Sequence, residues 1–256
     1  MSENLANALE RLKSAHARFV PSLTPTDKVI TIQELTNSET MATAIVASKD
    51  IFALEEERHR AQLWLYTFCG DVLTPSVYLM VTTDLIPSLD FETGTLFARE
   101  TEGYWFGFTP REETQSYEET GRSIAKSFVP IVEAIGELTG IRPAPLWAVI
   151  ADGVSQPAMG AGNEDFEQIK AMNLTKEILA GIEEEAGINL PNVKFEQVDF
   201  GEIRDVDENE EPEYIFTRRV SCCMIYHSPK AGICTSCPHQ DKDERAAKII
   251  AAAEMY

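Results

Sequence analysis

The chain has 256 residues, 44% of them hydrophobic and 25% charged, a composition that suits a folded globular protein with a sizeable core. A net charge of −20 argues against nucleic acid or an anionic membrane as partner, since both call for basic patches. No apolar run approaches the ~20 residues of a membrane-spanning helix. Residues 1–4 offer neither a basic n-region nor an apolar h-region, so export is not expected and a cytoplasmic setting is.

In chain order, Leu5, Leu9, Leu12 and the run to Phe19 repeat at helical spacing and predict an amphipathic helix over 3–19, ended by Pro21. A Pro/Thr-rich connector follows. Val29 to Ile32 reads as a short β-like run, and 38–48 as a helix. Asp50 is placed to cap the next helix, in which Glu55/His59 and Glu56/Arg60 are spaced i,i+4 before an apolar stretch from Leu63 to Cys69. Cys69 in that stretch reads as a core residue. Pro75 opens a second apolar stretch, closed by Pro87.

The period then changes. Phe91, Thr95 and Phe97 precede Glu102-Gly103, and Tyr104, Phe106 and Phe108 alternate after it, predicting a hairpin with an aromatic face. Ile124 to Leu138 marks a helix stopped by Gly140, with a kink expected near Pro130. Leu146 to Ser155 reads as a buried helix, with a buried strand as the rival, because periodicity does not separate the two. Gly160-Ala161-Gly162-Asn163 lacks the remaining features of a nucleotide-binding loop and reads as a helix-terminating loop. A helix is expected over 165–186 with Gly187 as its stop. The acidic run from Asp205 to Glu213 reads as a solvated hinge, and Asp241 or Asp243 as the cap of a last helix.

Four of the five cysteines fall within sixteen residues, as Cys222-Cys223, ten residues, Cys234, two residues, Cys237. Thiolates are soft ligands suited to zinc, copper(I) or iron–sulfur clusters. Side chains of adjacent residues in an extended segment point to opposite faces, so a local turn must bring Cys222 and Cys223 to one site. A structural zinc would use the same four thiolates, although zinc modules more often carry two C-x2-4-C knuckles. An odd cysteine count and the absence of an export signal weigh against disulfides. Residues 214–256 hold six Lys/Arg against four Asp/Glu, a net of +2, which leaves −22 on residues 1–213.

The run RRVSCCMIYHSPKAGICTSCPHQ, at residues 218–240, resembles the C-terminal signature of the FhuF-type siderophore-iron reductases. The resemblance implies that Cys222, Cys223, Cys234 and Cys237 ligate a [2Fe–2S] cluster. Two ferric ions, two sulfides and four thiolates sum to 2−, which Arg218, Arg219 and Lys230 would offset. It also implies one-electron reduction of a ferric siderophore, of hydroxamate or similar type, with release of iron. No G-x-G-x-x-G fingerprint for NAD(P)H or flavin is present, so the donor is expected to be external, such as a ferredoxin or a reductase.

The expected architecture is α+β: a mostly helical body over 1–213 with a small β-hairpin or sheet, and a short cluster-binding lobe over 214–256. Arg219, Tyr226, Tyr104 and Trp105 are candidates to bound the substrate groove. His227 and His239 flank the cysteines and are expected beside the site rather than as ligands. A non-catalytic [2Fe–2S] electron carrier and a zinc-stapled binding protein are the alternative functions. No hydrolase pattern accompanies Ser155, Ser221 or Ser236.

Overall fold

The computed structural model describes residues 1–99, 104–207, 210 and 212–255. Helix α1 (Glu3–Ala15) starts where the Ser2 hydroxyl accepts the Leu5 N–H at 3.1 Å, and it buries Leu5, Ala8, Leu9 and Leu12. After one 3-10 turn (Ala17–Phe19) come two short helices, α2 (Val20–Leu23) and α3 (Ile32–Leu35). The β-like run expected at 29–32 is therefore corrected. Thr31 and Glu34 form a reciprocal capping box that draws Ile32 into α3, and only Val29 keeps a bridge, to Phe97.

Helix α4 (Ser38–Phe52) extends past Asp50, which caps nothing. The chain breaks at Ala53, in the left-handed region at φ 55°, and α5 (Glu57–Val72) begins beyond it. Helix α6 (Thr74–Thr82) follows at once, with Pro75 in its first turn, where a missing N–H costs nothing. Trp64, Phe68, Phe106 and Phe128 meet in the core, with the Phe68 ring edge-on to Phe106 at 5.4 Å. Burying such a ring contributes about 1.5–3 kcal/mol.

Strands β1 (Thr95–Ala98) and β2 (Phe106–Thr109) form the expected hairpin, pairing Thr95 with Thr109 and Ala98 with Phe106. Its predicted turn, Glu102-Gly103, lies outside the described residues. Helix α7 (Tyr117–Thr139) continues through Pro130 and ends at Gly140, whose φ of 71° suits a residue without a side chain.

Helix α8 (Pro143–Asp165) overturns the loop reading of 160–163, because all four of those residues are helical. Their small size serves packing: an added Cβ at Gly162 would lie 2.7 Å from the Ala171 methyl, and one at Gly160 2.9 Å from the Tyr78 hydroxyl. Helix α9 (Gln168–Ala186) packs along α7 and against α8, and ends at Gly187 with φ 63°.

The C-terminal part begins with β3 (Lys194–Asp199), β4 (Glu202–Asp205) and β5 (Tyr214–Arg218), an antiparallel sheet in the order β4-β3-β5. The register pairs Val198 with Ile203 on one side and with Tyr214 on the other. Asn163 ties α8 to β5 in both directions: its side-chain nitrogen donates to the Ile215 carbonyl at 2.8 Å, and its oxygen accepts the Ile215 N–H at 3.0 Å. After the cysteine segment, α10 (Lys242–Ala253), capped by Asp241, lies against the sheet through Ile249. The fold is thus α+β and mostly helical: the described residues are 58% helix and form two small antiparallel sheets. Among the described residues, no helix is long and apolar enough to cross a membrane.

Candidate metal centre

The cysteine segment leaves β5 at Arg218 and crosses the buried middle of α8. There the Asp152 carboxylate, fully buried, accepts the N–H groups of Val220 (3.1 Å) and Ser221 (2.8 Å) and the Ser221 hydroxyl. Burial pushes the Asp152 carboxyl up, while those hydrogen bonds and Arg219 pull the other way. One helix further, Gln62 of α5 donates to the Cys222 carbonyl at 2.7 Å. Ser228 donates to the Phe52 carbonyl at the end of α4, and Lys230 to the Asp50 carbonyl at 2.8 Å. Three helices therefore hold the loop.

A turn follows the vicinal pair. Met224 is left-handed at φ 62° and leads into a 3-10 turn over Ile225–His227, and its N–H donates to the Cys222 sulfur at 3.3 Å. Cys223 is buried against Leu54 and Leu63. At the other end, a tight turn carries the Cys237 N–H to the Cys234 carbonyl at 3.0 Å, and the Gln240 side chain closes that turn on the Cys234 and Thr235 carbonyls.

The four sulfurs form one electrostatic neighbourhood: Cys222 senses Cys223 and Cys237, and Cys234 senses the same two. Cys234 donates its thiol proton to Cys223. That hydrogen bond and the Arg219 guanidinium hold Cys223 below the ordinary thiol range, while the same hydrogen bond and burial push Cys234 up against the pull of Arg219. Burial raises Cys222. Among the described residues, no three His, Cys, Asp or Glu side chains are grouped around a single ion position.

Of the three cations expected to balance the sulfurs, one touches them. Arg219 is 6% exposed, donates Nη1 to the Cys234 sulfur at 3.1 Å, lies over the Tyr66 ring at 4.6 Å and approaches Asp152 at 3.5 Å. Burial opposes its charge, but Tyr66, the Cys223 and Cys234 sulfurs and Asp152 together raise its pKa. Arg218 instead pairs with Glu196 of β3, and Lys230 is taken by the Asp50 carbonyl.

The remaining sequence candidates divide in two. Tyr226 is half-buried and joins a ring column. His59 of α5 stacks on His227 at 4.0 Å and 8°, Tyr226 lies 4.0 Å from His227, and His239 lies 4.2 Å beyond Tyr226. Tyr104 is 1% exposed, its hydroxyl against Thr67, and Trp105 is half-buried edge-on to it. Cys69 is fully buried in the core. From sequence, His59 is named only as part of a helical charge pair, and neither Asp152 nor Gln62 is singled out. A lone carboxylate in an apolar helical run is the signal for Asp152.

This donor set, four thiols with one ionising readily beside a buried guanidinium, fits an iron–sulfur centre. Residues 219–239 match the family model described as the FhuF 2Fe-2S C-terminal domain, a stretch that includes all four cysteines. The match points to a [2Fe–2S] cluster as the cofactor, and to a redox protein similar to the FhuF-type siderophore-iron reductases. A search of curated proteins found no match.

Proposed function

We propose that the chain is a ferric-siderophore reductase whose [2Fe–2S] cluster is held by Cys222, Cys223, Cys234 and Cys237. What supports this reading is the match of residues 219–239 to the FhuF 2Fe-2S C-terminal domain, together with Arg219 donating to the Cys234 sulfur and the hydrogen bond between Cys234 and Cys223. When bound, such a cluster supplies one electron at a time. Hard oxygen donors hold Fe(III) far more tightly than Fe(II), so one electron delivered to a ferric hydroxamate loosens the chelate, which takes up protons as the iron leaves. The electron comes from an external one-electron donor such as a reduced ferredoxin.

The protein's own residues set the conditions. Asp152 and Gln62 fix the backbone on either side of the vicinal cysteines, so the sulfurs are positioned by a rigid helical frame. Arg219, itself buried, offsets the negative charge of the thiolates where charges interact more strongly than in bulk water. In this reading residues 214–256 are the redox lobe on the body of 1–213, joined to it where β5 pairs with β3. Five free thiols support a reducing, cytoplasmic setting.

The test is an absorption spectrum of anaerobically purified protein, before and after dithionite, with iron and sulfide counted per chain. Turnover of ferric hydroxamate is then followed with a ferrous-specific chromogenic chelator. Bands that bleach on reduction, about two irons and two sulfides per chain, and ferrous release support the reading. A colourless protein with one zinc overturns it. A reducible cluster without ferrous release leaves an electron carrier.

A further inference from the structure

A cavity of about 250 Å³ lies between β5, the Cys234–Cys237 turn and α10. Its floor is apolar, with Ile203, Phe216 and Ile249, and Ser236 and Pro238 on either side of Cys237 form one rim. Around it stand Arg218, Arg219, Lys242 and Arg245 against a single carboxylate, Glu196, in a chain whose net charge is −20. Lys242, Arg245, Ala246 and Ile249 share one face of α10, so the helix presents two cations to the cavity while Asp243 and Glu244 are not among its lining.

Two lining residues carry buried polar atoms with no hydrogen-bond partner: Nη2 of Arg219, whose Nε faces Asp152, and the hydroxyl of Thr217, which is 4% exposed. Unsatisfied donors at such depth are uncommon in folded proteins and point to a ligand or water that completes them. Arg219 also donates to the Cys234 sulfur, so the same guanidinium borders both the thiols and the cavity.

The geometry points to a subsite for a carboxylate arm of the ferric chelate, so that the preferred substrate carries free carboxylates and net negative charge. This rests on the reductase reading above. The cavity is smaller than the ~300–1,000 Å³ pockets that enclose whole drug-sized ligands. It takes an arm, while the iron stays outside, against the rim at Ser236 and Pro238. Lys242 and Arg245 supply charge, Arg218 being paired with Glu196, and Arg219 and Thr217 supply donors at the inner wall.

Gallium(III) complexes, which are not reduced, separate binding from turnover. Titration calorimetry on cluster-loaded, full-length protein would compare the gallium(III) complex of a citrate-centred dihydroxamate with that of a neutral tris-hydroxamate. The expected result is at least tenfold tighter binding of the carboxylate-bearing complex, weakening as salt rises. A Lys242→Gln/Arg245→Gln double variant should bring its affinity down to that of the neutral complex, with cluster absorbance retained as the check on folding. Equal affinity for both complexes, no binding of either, or a preference that survives the double variant would overturn the subsite. Failure to reduce the iron(III) counterparts while the gallium preference persists would count against the reductase reading and leave the subsite standing. Reduction without preference would do the reverse.

Discussion

Removing the Asp152 carboxylate would strand two backbone N–H groups, the Ser221 hydroxyl and one side of Arg219 in a buried setting. Breaking a buried ionic network from one side typically costs about 3–5 kcal/mol. Asp152→Ala should therefore lower the urea midpoint by that order and reduce iron retention, whereas Asp152→Asn keeps an acceptor and should lose less. Cys222→Ser or Cys237→Ser should abolish the visible chromophore. Cys69→Ser, at a fully buried core position, should leave the colour, and a bleached Cys69 variant would contradict the ligand set. His59 provides a pH test. Burial and the facing His227 and Arg58 lower its pKa below the ordinary 6.5, against Glu56 at 3.6 Å, which raises it. The unfolded chain then binds more protons than the folded one below 6.5, so this contribution to stability is present above that pH and declines as pH falls. Unfolding midpoints from pH 7.5 down to 5.5 should decrease, and His59→Gln should flatten the slope.

At the scale of elements, α7 and α9 approach closely because two glycines meet there. A Cβ on Gly181 would sit 2.0 Å from the Glu118 carbonyl oxygen, and one on Gly121 2.1 Å from that of Ile178. Backbone cannot yield as a side chain can, so Gly181→Ala should force the helices apart at a cost of about 1–3 kcal/mol, read as a lower denaturant midpoint. Most helices were legible in the sequence, because Leu5/Leu9/Leu12 and Ile124 to Leu138 carry a clear period and Gly140 and Gly187 a clear stop. The failures share a cause. The β-branched side chains of Val29 to Ile32 favour a strand, but the Thr31–Glu34 capping box decides the conformation. The residues at 160–163 resembled a loop because small residues serve equally for close helix packing, which only the neighbours reveal. In the site, the cysteines and Arg219 were visible as a local motif. Asp152 and Gln62 were not, since they act across 69 and 160 residues of chain.

For the whole molecule, the cysteine segment is anchored unevenly. Strand β5 is held by β3 and by Asn163, independently of the thiols, whereas the loop beyond Ser228 rests on few contacts with the body. Removing the cluster with a chelator under reducing conditions should therefore accelerate amide exchange over residues 222–240 and leave 214–218 protected. Equal loss of protection across both segments would show that the cluster organises the sheet as well.

Helix α8 also acts as a ruler. Asn163 grips Ile215 and Asp152 grips Ser221, so one rod holds both ends of a seven-residue thread. Eleven steps along the helix span ~16 Å at about 1.5 Å each. Six extended steps from Ile215 to Ser221 reach ~20 Å at about 3.3 Å each. The slack is about one residue. Shortening the thread by one residue would use up that slack and shortening it by two would tear an anchor loose, whereas lengthening it would push a bulge into the thiol site, so the count between strand and first cysteine is set by the rise of the helix beneath it.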